Sequence, residues 1–158
     1  MTIDPDSFRA TLGRFASGVT VVTTRSDDGR DHGMTVSAFC SLSLEPPLVL
    51  VCVARDASLH SLLQPGRALA VNILAAGQEA LSRRFSGPDP NRFDGIGFTR
   101  GRTGAAILDD TLAYLDCHVE RLADGGDHTI CICRVESATV RPDRPLLYYR
   151  GGYAQLER

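Results

Sequence analysis

The sequence predicts a mainly β protein built as an antiparallel barrel, and three observations predict it. From Met34 to Leu44 the chain alternates without a fault. Met34, Val36, Ala38, Cys40, Leu42 and Leu44 fall on one side of an extended chain, and Thr35, Ser37, Phe39, Ser41 and Ser43 fall on the other. Period two means a strand with one buried face. Leu48 to Ala54 follows as a continuous apolar run, the pattern of a strand buried on both faces. Further short strand patterns recur with few helical ones, and strands do not alternate with long helices, which argues against a doubly wound sheet.

The elements follow in order. Asp4-Pro5-Asp6-Ser7 is a helix start, since Asp or Ser can cap and Pro suits the first turn. Phe8, Leu12 and Phe15 recur at helical spacing, so a short amphipathic helix is expected to end near Gly18. Val19 to Thr24 is β-branched throughout and reads as the first strand. Ser26 to Gly29 is a turn, followed by the alternating stretch, which Pro46 and Pro47 end because proline cannot donate to a ladder. Arg55 to Gly66 reads as a short capped helix starting at Asp56 or Ser58, Ala68 to Leu74 as a strand, and Gln78 to Phe85 as a helix. Ser86 to Gly104, rich in Gly, Pro, Asp and Arg, reads as a long surface loop with a turn of structure around Arg92 to Phe98. Leu112 to Ala123 and His128 to Val140 form a hairpin pair, and Pro145 to Tyr149 is a last strand before the Gly151-Gly152 turn.

A chain of 158 residues without linker or repeat is expected to form one domain, residues 1–158, large enough to bury a core. The net charge of −2 and scattered Arg residues give no basic field for nucleic acid. No apolar run approaches the roughly 20 residues a membrane span needs. The N-terminal stretch has early acids and no apolar signal core. The five cysteines are odd in number and lack C-x-x-C, which predicts reduced thiols and a cytoplasmic protein.

The hydroxyl face of the alternating stretch carries four hydroxyls, one ring and no charge. It suits a ligand with polar edges and an aromatic body, and it equally suits an ordinary Thr/Ser-rich strand. No Walker pattern is present, and Gly95-Ile96-Gly97-Phe98-Thr99-Arg100 lacks the third glycine of a dinucleotide fingerprint and follows no strand. No metal site is expected: Cys117 and His118 are strand neighbours that diverge, and Cys131 and Cys133 face alike but read as buried small hydrophobes. Asp127 and His128 are also expected to diverge on a strand, which removes a Ser/His/Asp triad. His128 stands out at a sheet rim, after Gly125-Gly126-Asp127, where ligands enter barrels; an exposed turn histidine is the plainer alternative.

The segments FRATLGRFASGVTVVTT, GMTVSAFCSLSLEPPLVLVCV, LAVNILAAGQEALSRRFSG, LAYLDCHVERLADGGDHTICICRVE and PLLYYRGGYAQL resemble, in order, those of the flavin reductase family of small FMN-binding split-barrel proteins. These are the reductase components of two-component flavin monooxygenases. Ala106 departs from the family at a position where proline is common, and the loop from Pro88 to Arg102 does not align.

The resemblance implies a homodimer of Greek-key split barrels with a few short helices, binding FMN or FAD. The reduced nicotinamide donor would be NADH or NADPH, and the reduced flavin would pass to a separate oxygenase. Carried over by position, Thr35, Val36, Ser37 and Ala38 would line the flavin ring and ribityl chain. Ser41 and Ser58 would approach its phosphate, with Arg55 as charge partner and Ser58 opening a helix whose N-terminus attracts anions. Phe85 would close over the flavin. His128 and Tyr153 would lie where the nicotinamide stacks, with His128, the one residue assigned to catalysis, acting by positioning. Two other readings stay open: a flavin carrier without turnover, and a split-barrel flavin oxidase.

Overall fold

The computed structural model describes residues 2–157. Its main sheet has seven strands in the order β3-β2-β6-β9-β10-β5-β4. The strands are β2 (Thr20–Arg25), β3 (Asp31–Val36), β4 (Phe39–Ser43), β5 (Leu48–Ala54), β6 (Ala68–Ile73), β9 (Ala113–Gly125) and β10 (His128–Val140). Every pairing in it is antiparallel, and β2–β6, β6–β9 and β10–β5 join strands that are not consecutive hairpins or cross over in sequence. A smaller sheet joins β1 (Ser17–Gly18), β11 (Leu146–Tyr149) and β12 (Gly152–Gln155), and β7 (Phe98–Arg100) pairs with β8 (Ala106–Leu108). The expected mainly β, antiparallel class is what the chain adopts.

Inside the curl of the sheet lies the main core, with Val22, Val36, Val51, Val53, Leu69 and Val119 at its centre. A second core forms on the outer face of β2, where Val19, Val21, Leu74, Leu108 and Leu146 meet Phe85 of α2 (Glu79–Ser86). Strand β2 is therefore buried on both faces, which explains its unbroken β-branched run. Its threonines avoid the cost of burying a hydroxyl. Thr20, Thr23 and Thr24 donate to the carbonyls of Val36, Ala106 and Ala68, each at 2.6 Å.

The first helix, α1 (Pro5–Leu12), starts as expected: Asp4 Oδ2 accepts from the Ser7 N–H at 2.9 Å, and proline stands in the first turn. It stops at Gly13, short of Gly18, and buries no side chain. Phe8, Leu12 and Phe15 face outward from a single chain.

The faultless alternation from Met34 to Leu44 is not one strand. Ser37 and Ala38 make a corner, closed by the Phe39 N–H donating back to the Ser37 carbonyl at 2.9 Å, a three-residue turn. The corner inverts the faces. Met34 and Val36 pack in the main core before it, and Phe39 packs there after it. Cys40, Leu42 and Leu44 consequently face out, Leu44 with 93% of its surface exposed.

The expected helix after Arg55 is absent. Residues 55–59 are turns, and only a 3-10 turn at His60–Leu62 follows. The stretch closes on i→i+3 bonds instead of helical i→i+4 ones, with Ala57, His60 and Leu63 donating to the carbonyls of Ala54, Ala57 and His60 at 3.0–3.1 Å. The long loop expected from Ser86 to Gly104 contains β7, and β8 follows just beyond it; the sequence reading separated neither.

Candidate active site

Strand β3 lies at one edge of the main sheet and pairs only with β2. Its odd-numbered side chains face the outer layer, where α2 crosses them. Gly33 lies under the rings of Phe85 and Phe93; a Cβ there would come within 2.8 Å of Phe85. Thr35 donates through Oγ1 to the Ser82 carbonyl of α2 at 2.7 Å. The Ser82 hydroxyl, on the same helix, shares a 2.7 Å hydrogen bond with the Tyr153 phenol. Around this chain of bonds opens a cavity of about 220 Å³, lined by Val19, Thr35, Ser37, Ser82, Ser86, Tyr148 and Tyr153.

The cavity joins hydroxyls to aromatic surface. Tyr148 meets Tyr153 edge to face, with centroids 5.6 Å apart, and the Arg83 guanidinium sits 4.9 Å from the Tyr153 ring centre. Such contacts each contribute about 0.5–1.5 kcal/mol and fix ring orientation. The Glu79 carboxylate accepts from Arg83 at 2.7 Å and holds that guanidinium protonated. A planar ring with polar edges fits here: it can stack beside tyrosine and meet hydroxyls along an edge strand. Sequence reading missed Ser82, Ser86 and Tyr148. Ser82 shares α2 with the periodic Leu81 and Phe85, and nothing in the pattern marks it.

The residues assigned from sequence divide into groups. Thr35 and Ser37 line the cavity with Tyr153. Val36 does not expose its side chain, which is 5% accessible and packs in the main core; its carbonyl accepts from Thr20. Ala38 is exposed at the corner, and its carbonyl accepts from the Cys52 N–H at 3.0 Å. Phe85 is wholly buried against Gly33 rather than poised over an opening.

Ser41 does not join Arg55 and Ser58. It pairs with Val49, and Arg55 lies six residues further along β5, about 20 Å at the rise of a strand. Ser58 lines a different cleft beside Gly33, and the helix N-terminus expected there does not form. Arg55 is already engaged: it pairs with the Asp124 carboxylate and donates through Nε to the Gly126 carbonyl at 2.8 Å.

His128 stands at the rim, opposite Ala54 of β5 and Gly125 of β9. It is half exposed, and its Nδ1 lies 2.7 Å from Asp127 Oδ1. The expected divergence of the two side chains fails because Asp127 belongs to the turn, not to the strand. The hydrogen bond with His128, followed by its charge, holds the Asp127 carboxyl below the usual carboxylate range. Within one chain, His128 does not line the cavity of Tyr153. Burial pushes the Cys117 thiol up to about 12 and raises that of Cys52, so neither is poised as a nucleophile.

Comparison with known proteins gives one consistent answer. Residues 12–157 match the model of the flavin reductase like domain. The reductase subunit HsaB of a flavin-dependent monooxygenase from Rhodococcus jostii is 43% identical over 156 residues, spanning 98% of this chain and 80% of that protein. A flavin reductase (NADH) from Kitasatospora aureofaciens is 42% identical over 158 residues, spanning 97% of this chain and 82% of that one. The NADH:FAD oxidoreductase SgcE6 of Streptomyces globisporus, solved with NAD and FAD fragments, superposes with a TM-score of 0.89 at 37% identity. That match covers 99% of this chain and 96% of SgcE6.

Proposed function

The chain belongs to the flavin reductase like domain family, and from that premise we propose that it is an NADH-dependent flavin reductase serving a separate monooxygenase component. The observation that carries the reading to this chain is the cavity at the free edge of β3, where the hydroxyls of Thr35, Ser37 and Ser82 meet the stacking ring of Tyr153. The flavin, FMN or FAD, supplies the redox chemistry by accepting a hydride from the reduced nicotinamide.

The chain's own residues bind, orient and exclude water. Ser37 offers a hydroxyl along the ring's polar edge, and Thr35, whose proton goes to the Ser82 carbonyl, offers its oxygen as an acceptor. Val36 contributes backbone only, and Phe85 acts from below by holding Gly33 and α2 in place. Tyr153, fixed by Ser82, Tyr148 and Arg83, sets the width of the slot. No side chain has to exchange a proton with the reacting atoms, so orientation is the main contribution. Ser58 and Arg55 remain candidates for phosphate contact, and Ser41 serves in a separate location on β4.

His128 positions the nicotinamide, oriented by Asp127. Because it lies away from Tyr153 in one chain, the reading includes a homodimer in which one copy's His128 approaches the other's cavity. The outward apolar side chains of α1 and β4 and of the residues just after them, Phe8, Leu12, Phe15, Leu42 and Leu44, support a covering second copy. Among the described residues no helix is long and apolar enough to cross a membrane. A cytoplasmic location is supported by five free thiols, and a net charge of −2 gives no basic field for nucleic acid. Steady-state oxidation of NADH, with FMN or FAD as acceptor, tests the activity; no acceleration over the protein-free rate would overturn it.

A further inference from the structure

The turns after β5 grip the tip of the β9–β10 hairpin on both sides of His128. The hairpin closes with Gly126 and Asp127 as its central residues, between the paired Gly125 and His128. Gly126 takes a φ of +74°, which a two-residue turn of this kind needs at its first central position. The carbonyls of both central residues lie outside the β9–β10 ladder. One residue takes up both: the Arg55 N–H donates to the Asp127 carbonyl at 3.0 Å, and Arg55 Nε donates to the Gly126 carbonyl at 2.8 Å. The same guanidinium pairs through Nη2 with the Asp124 carboxylate. Further along the turns, His60 Nε2 shares a 2.7 Å hydrogen bond with the hydroxyl of the buried Thr129.

These bonds orient more than they stabilise. Arg55 and Asp124 are both exposed, and an exposed ion pair contributes little to stability. A glycine-rich tip at the end of a sheet is the soft part of a hairpin, because glycine has the most backbone freedom to lose. Left alone, it would let the first residue of β10 sample several orientations. The guanidinium is a planar fork whose donors are fixed relative to one another. Gripping a carbonyl and a carboxylate together therefore sets the tilt of the tip. Asp127, on that tip, holds the His128 ring through the 2.7 Å contact to Nδ1.

We infer that Arg55 is a positioning residue of the reductase reaction: it sets the hairpin tip that carries Asp127 and His128, and through them the nicotinamide. The inference rests on the flavin reductase reading, in which His128 positions the donor. This role depends on the Nε donor of Arg55, whereas contact with a flavin phosphate depends on its charge. Arg55→Gln places an amide nitrogen where Nε stands and drops the charge. Arg55→Lys keeps the charge and places carbon there, and Arg55→Met lacks both.

KM for NADH and kcat are measured at saturating flavin, and flavin affinity by fluorescence quenching with FMN and with FAD. Arg55→Met is expected to raise KM about fivefold, with kcat and flavin affinity each within about twofold of wild type. Arg55→Lys should match it, and Arg55→Gln should bring KM back to within about twofold of wild type. In a His128→Ala background, adding Arg55→Met should raise KM no further, because the group it positions is gone. The opposite ranking, with Arg55→Lys near wild type and Arg55→Gln like Arg55→Met, overturns the inference and assigns Arg55 to an anion. So does an unchanged KM in Arg55→Met, a loss of flavin affinity as large as the rise in KM, or additivity with His128→Ala. In each of those cases turnover by the wild-type protein leaves the reductase reading standing. No flavin-dependent NADH oxidation by the wild-type protein overturns both.

Discussion

The phenolic oxygen of Tyr153 lies 2.7 Å from the hydroxyl of Ser82, so the last strand of the chain is tied to the helix that crosses β3. The bond fixes the ring that walls the cavity. Tyr153→Phe keeps the ring and removes the tie, at a cost of about 0.5–1.5 kcal/mol in stability. Ser82→Ala should cost a similar amount, and the double variant little more than either alone. Urea denaturation checks this, and FMN titration of the same variants should show affinity falling several-fold. Strictly additive losses would show that the two groups do not act together.

His128 is predicted to position the nicotinamide rather than to exchange protons. His128→Ala should raise KM for NADH about tenfold while kcat falls by less than about threefold. A collapse of kcat at unchanged KM would sink the assignment. Asp127 adds a pH signature. Its carboxyl is held below the usual range in the folded chain, so its bond to His128 persists above that range and is lost only as pH falls through the lowered value. Its contribution to KM should therefore fail in acid, as the Asp127 carboxyl protonates. Asp127→Asn should abolish that acid limb. The pair is exposed, so little effect on stability is expected.

Gly33 is predicted to be irreplaceable for a packing reason. A Cβ would lie 2.8 and 2.9 Å from Phe85 ring atoms and 3.3 Å from Phe93. Gly33→Ala should cost about 1–3 kcal/mol by overpacking. Adding Phe85→Leu should recover part of that loss, because the shorter side chain vacates the contact. Thermal unfolding of the single and double variants measures it; strict additivity would contradict the account.

The outward leucines at the end of β4, Leu42 within it and Leu44 just after it, give a test of assembly. Leu44 is 93% exposed and Leu42 47% exposed in one chain. If a second copy covers them, Leu42→Lys with Leu44→Lys should shift the sedimentation coefficient from dimer to monomer and cut reductase turnover. A wild-type monomer would remove the homodimer and the shared site together.

Much of this was legible in the sequence, and the misses have causes. β-branched runs and turn dipeptides marked β2, β5, β6 and the β9–β10 pair because those signals are local. The alternation from Met34 to Leu44 misled because a two-residue corner inverts the faces without disturbing the pattern. β7 and β8 could not be read because distant groups hold them. Thr23 accepts no local partner but donates to Ala106 across 83 residues, and Asn72 Oδ1 accepts from the Leu108 N–H at 2.9 Å. Asp116 is buried and holds the same loop, accepting from the Thr103 N–H at 3.0 Å and its hydroxyl at 2.5 Å. The site residues Thr35, Ser37 and Tyr153 were reached through resemblance, whereas Ser82 becomes visible only when α2 is laid across β3.

The central claim is tested most directly by anaerobic mixing. Purified protein is combined with FMN, or with FAD, and NADH is added while flavin absorbance is followed. The account predicts rapid bleaching whose rate scales with protein concentration, and recovery of the oxidised spectrum when air is admitted. Flavin that binds, by fluorescence quenching, yet stays oxidised with excess NADH would contradict it and leave a flavin carrier or an oxidase fed by another donor.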